Sequence, residues 1–254
     1  MKIKKVFFIY LFTTLLFTAC QPATKSRITV ATAANMQFAM KALATDFSEK
    51  TGIACELVVS SSGKLTAQIR EGAPYDVFVA ANMKYPNTLY NDSLTLSSPD
   101  IYAYGELVLW SAAGNTRPTI DLLTAPGTEH IALANPKNAP YGTAAIEVLR
   151  HYGIWEKVKD KLVYGESIAQ TNHFITSGAA EVGFTAMSVV LSPEMKGKGK
   201  WTEPGPKTYT PIAQGAVVIR RKNTDTRNAQ RFYDYLFSPE AGKVLKDFGY
   251  LVDE

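Results

Sequence analysis

Four short stretches of the sequence carry residue types that could hold an anion. They are Ala33-Ala34-Asn35, Ser60-Ser61-Ser62-Gly63, Asn138-Ala139-Pro140-Tyr141-Gly142-Thr143 and Glu166-Ser167-Ile168-Ala169-Gln170, and each joins a strand-like run to a helix-like one. The first turn of a helix leaves backbone N–H groups without intrahelical acceptors, and it carries the positive end of a dipole worth roughly half a charge. Such a terminus binds an anion without help from lysine or arginine. None of the four stretches has a basic residue at the helix start itself; Lys64 lies just inside the second. Neutral donors suit a small, fully ionised anion and offer no acceptor for the proton of a protonated one. Taken singly, each Ser or Asn is an ordinary N-cap. The functional reading rests on the set.

Other chemistries find less support. A serine hydrolase built on Ser61 or Ser62 needs a base and an orienting acid. The three histidines, His130, His151 and His173, fall at a strand start, at a helix end and inside a helix, and no G-x-S-x-G elbow is present. No H-E-x-x-H or paired-cysteine spacing suggests a metal centre. No cofactor motif was found, so none is expected. The formal charge is +4, from 27 basic and 23 acidic residues. Lys2, Lys4 and Lys5 account for three of those bases, which leaves 24 against 23 in the rest of the chain, too even a balance for a nucleic-acid partner.

Residues 1–19 look like an export signal. The basic start is followed by the apolar run Val6 to Phe17, and Leu16-Phe17-Thr18-Ala19 leads into Cys20. This is the pattern of a lipoprotein signal, with Cys20 as the acylated first residue and 20–26 as a short polar tether. The other cysteine, Cys55, lies in the apolar run Ile53–Val59 and reads as a small hydrophobe.

The elements that must position the four turns alternate between strand and helix, which argues for an α/β class. Strand-like runs are Arg27–Ala31, Ile53–Val59, Asp76–Ala81, Ile101–Ser111, His130–Ala134, Leu162–Gly165, Val182–Ala186 and Ala216–Arg220. Helical stripes cover Asn35–Lys50, with Met36, Met40, Leu43 and Phe47 on one side, then Ser62–Glu71, Gly142–Tyr152, Ile168–Ser177, Thr226–Leu236 and Pro239–Phe248. Leu191–Pro211 is rich in Gly, Lys and Pro and reads as an exposed loop. Ligands of parallel α/β sheets lie beyond the carboxyl ends of the strands. Two such turns early and two late therefore predict two lobes facing one cleft.

Over 27–254 the chain resembles the molybdate-binding proteins of ABC transporters, within the type II periplasmic binding fold. The resemblance rests on Ile28-Thr29-Val30-Ala31-Thr32-Ala33-Ala34-Asn35, Ser61-Ser62-Gly63, Gln68 through Phe78, Gly105 through Ser111, Ala139-Pro140-Tyr141-Gly142, Ser177 through Phe184 and Phe248-Gly249-Tyr250. It implies two α/β lobes joined by two crossing hinge strands, with 27–104 plus 215–254 as lobe one and 105–214 as lobe two. It also implies an oxyanion, molybdate or tungstate, held by neutral donors; molybdenum or tungsten enters only inside that oxyanion. The implied contacts are the side-chain amide and N–H of Asn35, the hydroxyl and N–H of Ser62, and the N–H groups of Tyr141 and Ile168, with Ala34 and Ser61 beside them. A tyrosine hydroxyl that some members add is replaced here by Ala186. The implied partners are an ABC permease of the inner membrane and, through Cys20, the membrane itself, for a monomeric receptor in the periplasm or at the cell surface. A receptor for sulfate or phosphate is the nearest alternative.

Overall fold

The computed structural model describes residues 26–114, 117–205, 207–222 and 224–252. The signal segment, Cys20 and the tether up to residue 25 lie outside the described residues. The first part of the chain runs β1 (Arg27–Ala33), α1 (Gln37–Thr51), β2 (Ala54–Ser60), α2 (Ser62–Arg70), β3 (Val77–Val79), α3 (Lys84–Asn91) and β4 (Asp100–Gly105). The middle part runs β5 (Leu107–Ser111), β6 (Ile131–Ala134), α4 (Pro140–His151), α5 (Trp155–Val158), β7 (Leu162–Gly165), α6 (Ile168–Thr176), β8 (Val182–Ala186), α7 (Met187–Val190) and β9 (Lys200–Thr202). Then β10 (Ile212–Val218), α8 (Arg227–Leu236) and α9 (Pro239–Asp247) complete it.

These strands form two five-stranded sheets, ordered β2-β1-β3-β10-β4 and β7-β6-β8-β5-β9. In the first, β1 is parallel to β2 and β3, while β10 is antiparallel to β3 and β4. The second repeats the plan, with β6 parallel to β7 and β8, and β5 antiparallel to β8 and β9. Parallel pairs need crossover helices, and those helices cover both faces of each sheet. The fold is α/β with two sheets, each carrying its own helices, joined by two crossings of the chain.

Local sequence explains most of these elements. Met36, Met40, Leu43 and Phe47 recur at helical spacing and are all buried, so α1 lays that stripe on the first sheet. Phe47 meets Phe232 of α8 edge to face, with ring centroids 5.1 Å apart. Gly52 ends α1 in the left-handed conformation, φ 71°, which a residue with a Cβ adopts at a cost. Half-buried Cys55 packs against this core, and burial pushes its thiol up to about 11, so it behaves as a hydrophobe.

Three expectations differ from what is found. Ile101–Ser111 is two strands, because the chain leaves the first sheet at Gly105 and joins the second at Leu107. Both halves are apolar, so hydropathy does not register the change of partner. The return crossing begins earlier than Ala216: Ile212 already pairs with Gly105, and the register breaks between Gln214 and Gly215. The lobe limits drawn at 104/105 and 214/215 thus fall inside this paired ribbon. Finally, Leu191–Pro211 contains β9, which pairs Trp201 with Trp110 and covers the edge of β5. Trp110 is buried and donates its Nε1–H to the Lys198 carbonyl at 2.8 Å. Helix α3, which buries Pro86 and Leu89, was not anticipated from sequence.

The approach of α4 to the second sheet depends on one missing side chain. A Cβ at Gly142 would lie 1.9 Å from the carbonyl oxygen of Ala134, the last residue of β6. Alanine favours a helix over glycine by roughly 1 kcal/mol, so an open site would gain from the change. Here overpacking decides the sign. Gly142→Ala should destabilise the protein by about 1–3 kcal/mol, read as a lower urea midpoint at unchanged slope.

Candidate functional site

All four turns predicted from sequence meet in one place. Asn35, Ser62, Tyr141 and Ile168, with Ala34 and Ser61, line one small cavity between the two sheets. Ala33, Ala81, Ala139 and Pro140 complete its wall. No charged side chain is among these lining residues. Each turn follows the carboxyl end of a parallel strand: β1, β2, β6 or β7. Small residues at these ends let four backbones approach one point.

The donors differ in how they are held. Ser61 caps α2, its Oγ accepting the Lys64 N–H at 3.4 Å. Ser62 is the first residue of that helix, so its own N–H has no acceptor one turn back. Its Oγ accepts the Ala81 N–H at 3.0 Å, which leaves the hydroxyl hydrogen available to the cavity. Tyr141 is the second residue of α4 after Pro140, and Ile168 the first of α6 after the capping Ser167. The N–H groups of both therefore stand at unsatisfied positions. Ala34 and Asn35 lie in a single 3-10 turn, Ala34–Met36, that leads into α1.

Asn35 is the residue whose environment differs from expectation. Its side-chain amide is turned away into a buried network: Nδ2 donates to Gln214 Oε1 at 2.8 Å and to the Tyr250 hydroxyl at 3.1 Å. Both amide hydrogens are thereby engaged, and the backbone N–H of Asn35 is the donor left for the cavity. Tyr250 in turn donates to Ser188 Oγ at 3.0 Å, and Ser188 donates to the Asn35 carbonyl at 2.7 Å. Gln214, Tyr250 and Ser188 were not read as site residues from sequence, although Tyr250 falls within one of the motifs that carry the resemblance. A glutamine inside the apolar strand run Ile212–Val218 was the available signal, since an amide buried there must find partners.

The network contains three fully buried tyrosines. Burial holds the hydroxyls of Tyr102 and Tyr141 well above the usual tyrosine range, and the neighbouring tyrosines add to the effect. Burial also pushes Tyr250 up to about 12, against hydrogen bonds with Ser188, Asn35 and Gln214 that lower it. Ala186, at the end of β8, is buried and contributes no polar atom.

The two lobes touch directly around the cavity. Gly63 N–H donates to the Asn138 carbonyl at 3.0 Å, the Tyr85 hydroxyl donates to the Lys137 carbonyl at 3.1 Å, and Lys64 pairs with Glu166. A Cβ at Gly63 would meet the Asn138 backbone at 3.0 Å, a tight contact that glycine avoids. Lys64, just inside the second turn, is thus answered by Glu166. None of His130, His151 and His173 lines the cavity. Among the described residues, no three of His, Cys, Asp and Glu gather to hold a metal ion.

The raised tyrosines set a stability window. Tyr250 binds its proton more tightly folded, at about 12, than at its ordinary value of 10.0. Its contribution is therefore complete below pH 10 and is lost as pH rises towards 12. The melting temperature should fall over that interval and, in Tyr250→Phe, fall less steeply from a lower starting value; thermal melts at stepped pH read both.

Known proteins share this arrangement. A family profile described as bacterial extracellular solute-binding protein matches residues 28–251. The molybdate-binding protein ModA of Azotobacter vinelandii is 41% identical over 231 residues, covering 90% of this chain and 91% of that protein. The molybdate-binding protein ModA of Rhodobacter capsulatus is 36% identical over 233 residues, covering 91% of each. The solved structure of the Azotobacter vinelandii periplasmic molybdate-binding protein superposes with a TM-score of 0.84 at 35% identity, over 89% of this chain and all of that one. The overall fold is thus that of a known group, and this chain belongs to the bacterial extracellular solute-binding protein family, alongside its molybdate-binding relatives.

Proposed function

We propose that this chain is the extracytoplasmic receptor of an ABC importer and that it captures molybdate, or tungstate, in the cavity between its lobes. The observation that carries the reading is the convergence of four helix starts on a small space with no charged side chain in its wall. A tetrahedral dianion is complementary to such a space. Each charge-assisted hydrogen bond from an N–H or O–H contributes roughly 1.5–3 kcal/mol net, and the helix termini add their partial charges. Several donors of this kind offset the cost of taking a dianion out of water, which a single helix start could not.

The residues take distinct parts. Ser62 supplies a hydroxyl already oriented by Ala81, together with its N–H. Asn35, Tyr141 and Ile168 supply backbone N–H groups, and Ala34 and Ser61 shape the wall. The lobes, 27–104 with 215–254 and 105–214, close about the crossing strands and bury the ion, and the closed form is what an inner-membrane permease reads. Binding, not bond-making, is the activity: Ser62 has no histidine beside it to act as base, and the relatives are named for binding. The protein works as a monomer and without a cofactor.

Titration calorimetry against molybdate, tungstate, sulfate and phosphate tests the ligand. Molybdate and tungstate should bind most tightly, because a cavity closing on the larger tetrahedron leaves sulfate poorly reached. Phosphate bound as well as molybdate would redirect the reading to a general oxyanion receptor. Ser62→Ala should weaken molybdate by about 1–3 kcal/mol, roughly a factor of 5 to 150, and unchanged affinity would remove the serine from the site.

Localisation follows from Cys20. We place the receptor outside the cytoplasm, held by a lipid on that cysteine. In an export-competent bacterial host the full chain should sediment with membranes and carry the mass of an acylated N-terminus, whereas Cys20→Ser should leave it in the soluble fraction. Equal fractionation of the two would remove the anchor.

A further inference from the structure

Gln214 is fully buried on β10, at the register break where the chain crosses between the sheets. Its Oε1 accepts hydrogen bonds from Asn35 Nδ2 at 2.8 Å and from the Tyr102 hydroxyl at 3.0 Å, both on the first lobe. Its Nε2 faces the other way and donates to the Tyr141 hydroxyl, 3.4 Å off, on α4 of the second lobe. One planar amide thus spans the two turns that carry Asn35 and Tyr141. The chain makes room for this: a Cβ at Gly105, on the opposite crossing strand, would lie 2.1 Å from the Tyr141 hydroxyl and 2.3 Å from Gln214 Nε2. An amide serving only to fill the core of one lobe would satisfy its N–H there. This one is aimed across the hinge at a helix whose first turn lines the cavity.

We propose that Gln214 is a positioning residue for the oxyanion site, holding the Asn35 turn of one lobe and the Tyr141 turn of the other in register, so that the backbone donors of both face the cavity together when the lobes close. The inference rests on the oxyanion-binding reading and deepens it by naming the group that couples the hinge to the site. Gln214 touches no ligand; it acts through its two neighbours. The Asn35 turn is held further by a ring of its own, in which Asn35 Nδ2 donates to Tyr250, Tyr250 to Ser188 and Ser188 to the Asn35 carbonyl. A buried network of this kind orients its members only when every one is satisfied.

The test uses the mature chain, molybdate as probe, and stopped-flow tryptophan fluorescence for binding and release. Tyr141→Phe deletes the hydroxyl that Gln214 reaches and leaves the backbone donor of position 141 in place. Gln214→Leu deletes the amide at similar shape. Each should raise the dissociation rate at least tenfold while the association rate stays within twofold of wild type, since encounter precedes closure and the closed state is what loses support. The double variant should release molybdate no faster than the worse single variant, because both changes cut the same link. Wild-type release rates in both variants, or losses that simply add, overturn the proposal. If Gln214→Leu does not fold, Tyr141→Phe decides alone: tenfold faster release supports the link, and an unchanged rate refutes it. Wild type is measured in the same series. Its failure to bind molybdate would overturn the functional reading and this inference together, whereas tight wild-type binding beside unaltered variants overturns this inference only.

Discussion

Like partial charges do not gather unaided. Four helix starts, each an N-terminus with a partial positive charge, meet at one small volume between two lobes. Closing the lobes brings these ends together and strips water from them, which opposes closure. Two things can offset that cost. Direct contacts across the gap, such as Gly63 N–H to the Asn138 carbonyl and Lys64 to Glu166, contribute whether or not the space is filled. On the proposed reading, an anion in the space would contribute far more, and only when all four ends are close. On that reading, the geometry that selects an anion would also make closure depend on having one.

Neutrality of the wall follows from the same balance. A lysine or arginine in the cavity would answer a dianion directly, but it would also need a counter-charge when the cavity is empty, and it would accept singly charged anions readily. Backbone donors at helix starts avoid both problems, since their partial charges are small, fixed in direction and already part of the scaffold. Lys64, just inside the second turn, is held by Glu166 and is not part of the wall.

A second layer of polar groups gives the first its orientation. Ser62 is aimed by the Ala81 N–H, and the turn at Asn35 is fixed by its own side chain reaching back to Gln214 and Tyr250. Here a side chain of donor type serves the backbone that carries it. Buried hydroxyls and amides are costly unless every one is paired, and the ring of Asn35, Tyr250 and Ser188 pairs them among themselves. Thr32 Oγ1 is the exception among the described residues: buried in β1 beside this region, it has no partner.

Much of this was open to reading in the chain itself. Period-2 and period-3.6 runs identified the α/β class, the stripe of α1 and the helices that follow each binding turn, because burial of one face is written locally in residue spacing. The turns at Asn35, Ser62, Tyr141 and Ile168 were legible for a similar reason: a strand end, small or capping residues and a helix start are all neighbours in sequence. Their meeting at one cavity was reachable through the resemblance, not through spacing alone. What only the tertiary structure decided is what depends on contacts between distant segments. The break of Ile101–Ser111 between two sheets, the pairing of β9 in a loop-like stretch, and the turning of the Asn35 amide towards Gln214, 179 residues away, are all of this kind. Hydropathy records whether a residue is buried, but not which partner buries it, and the direction of a hydrogen bond belongs to the partner.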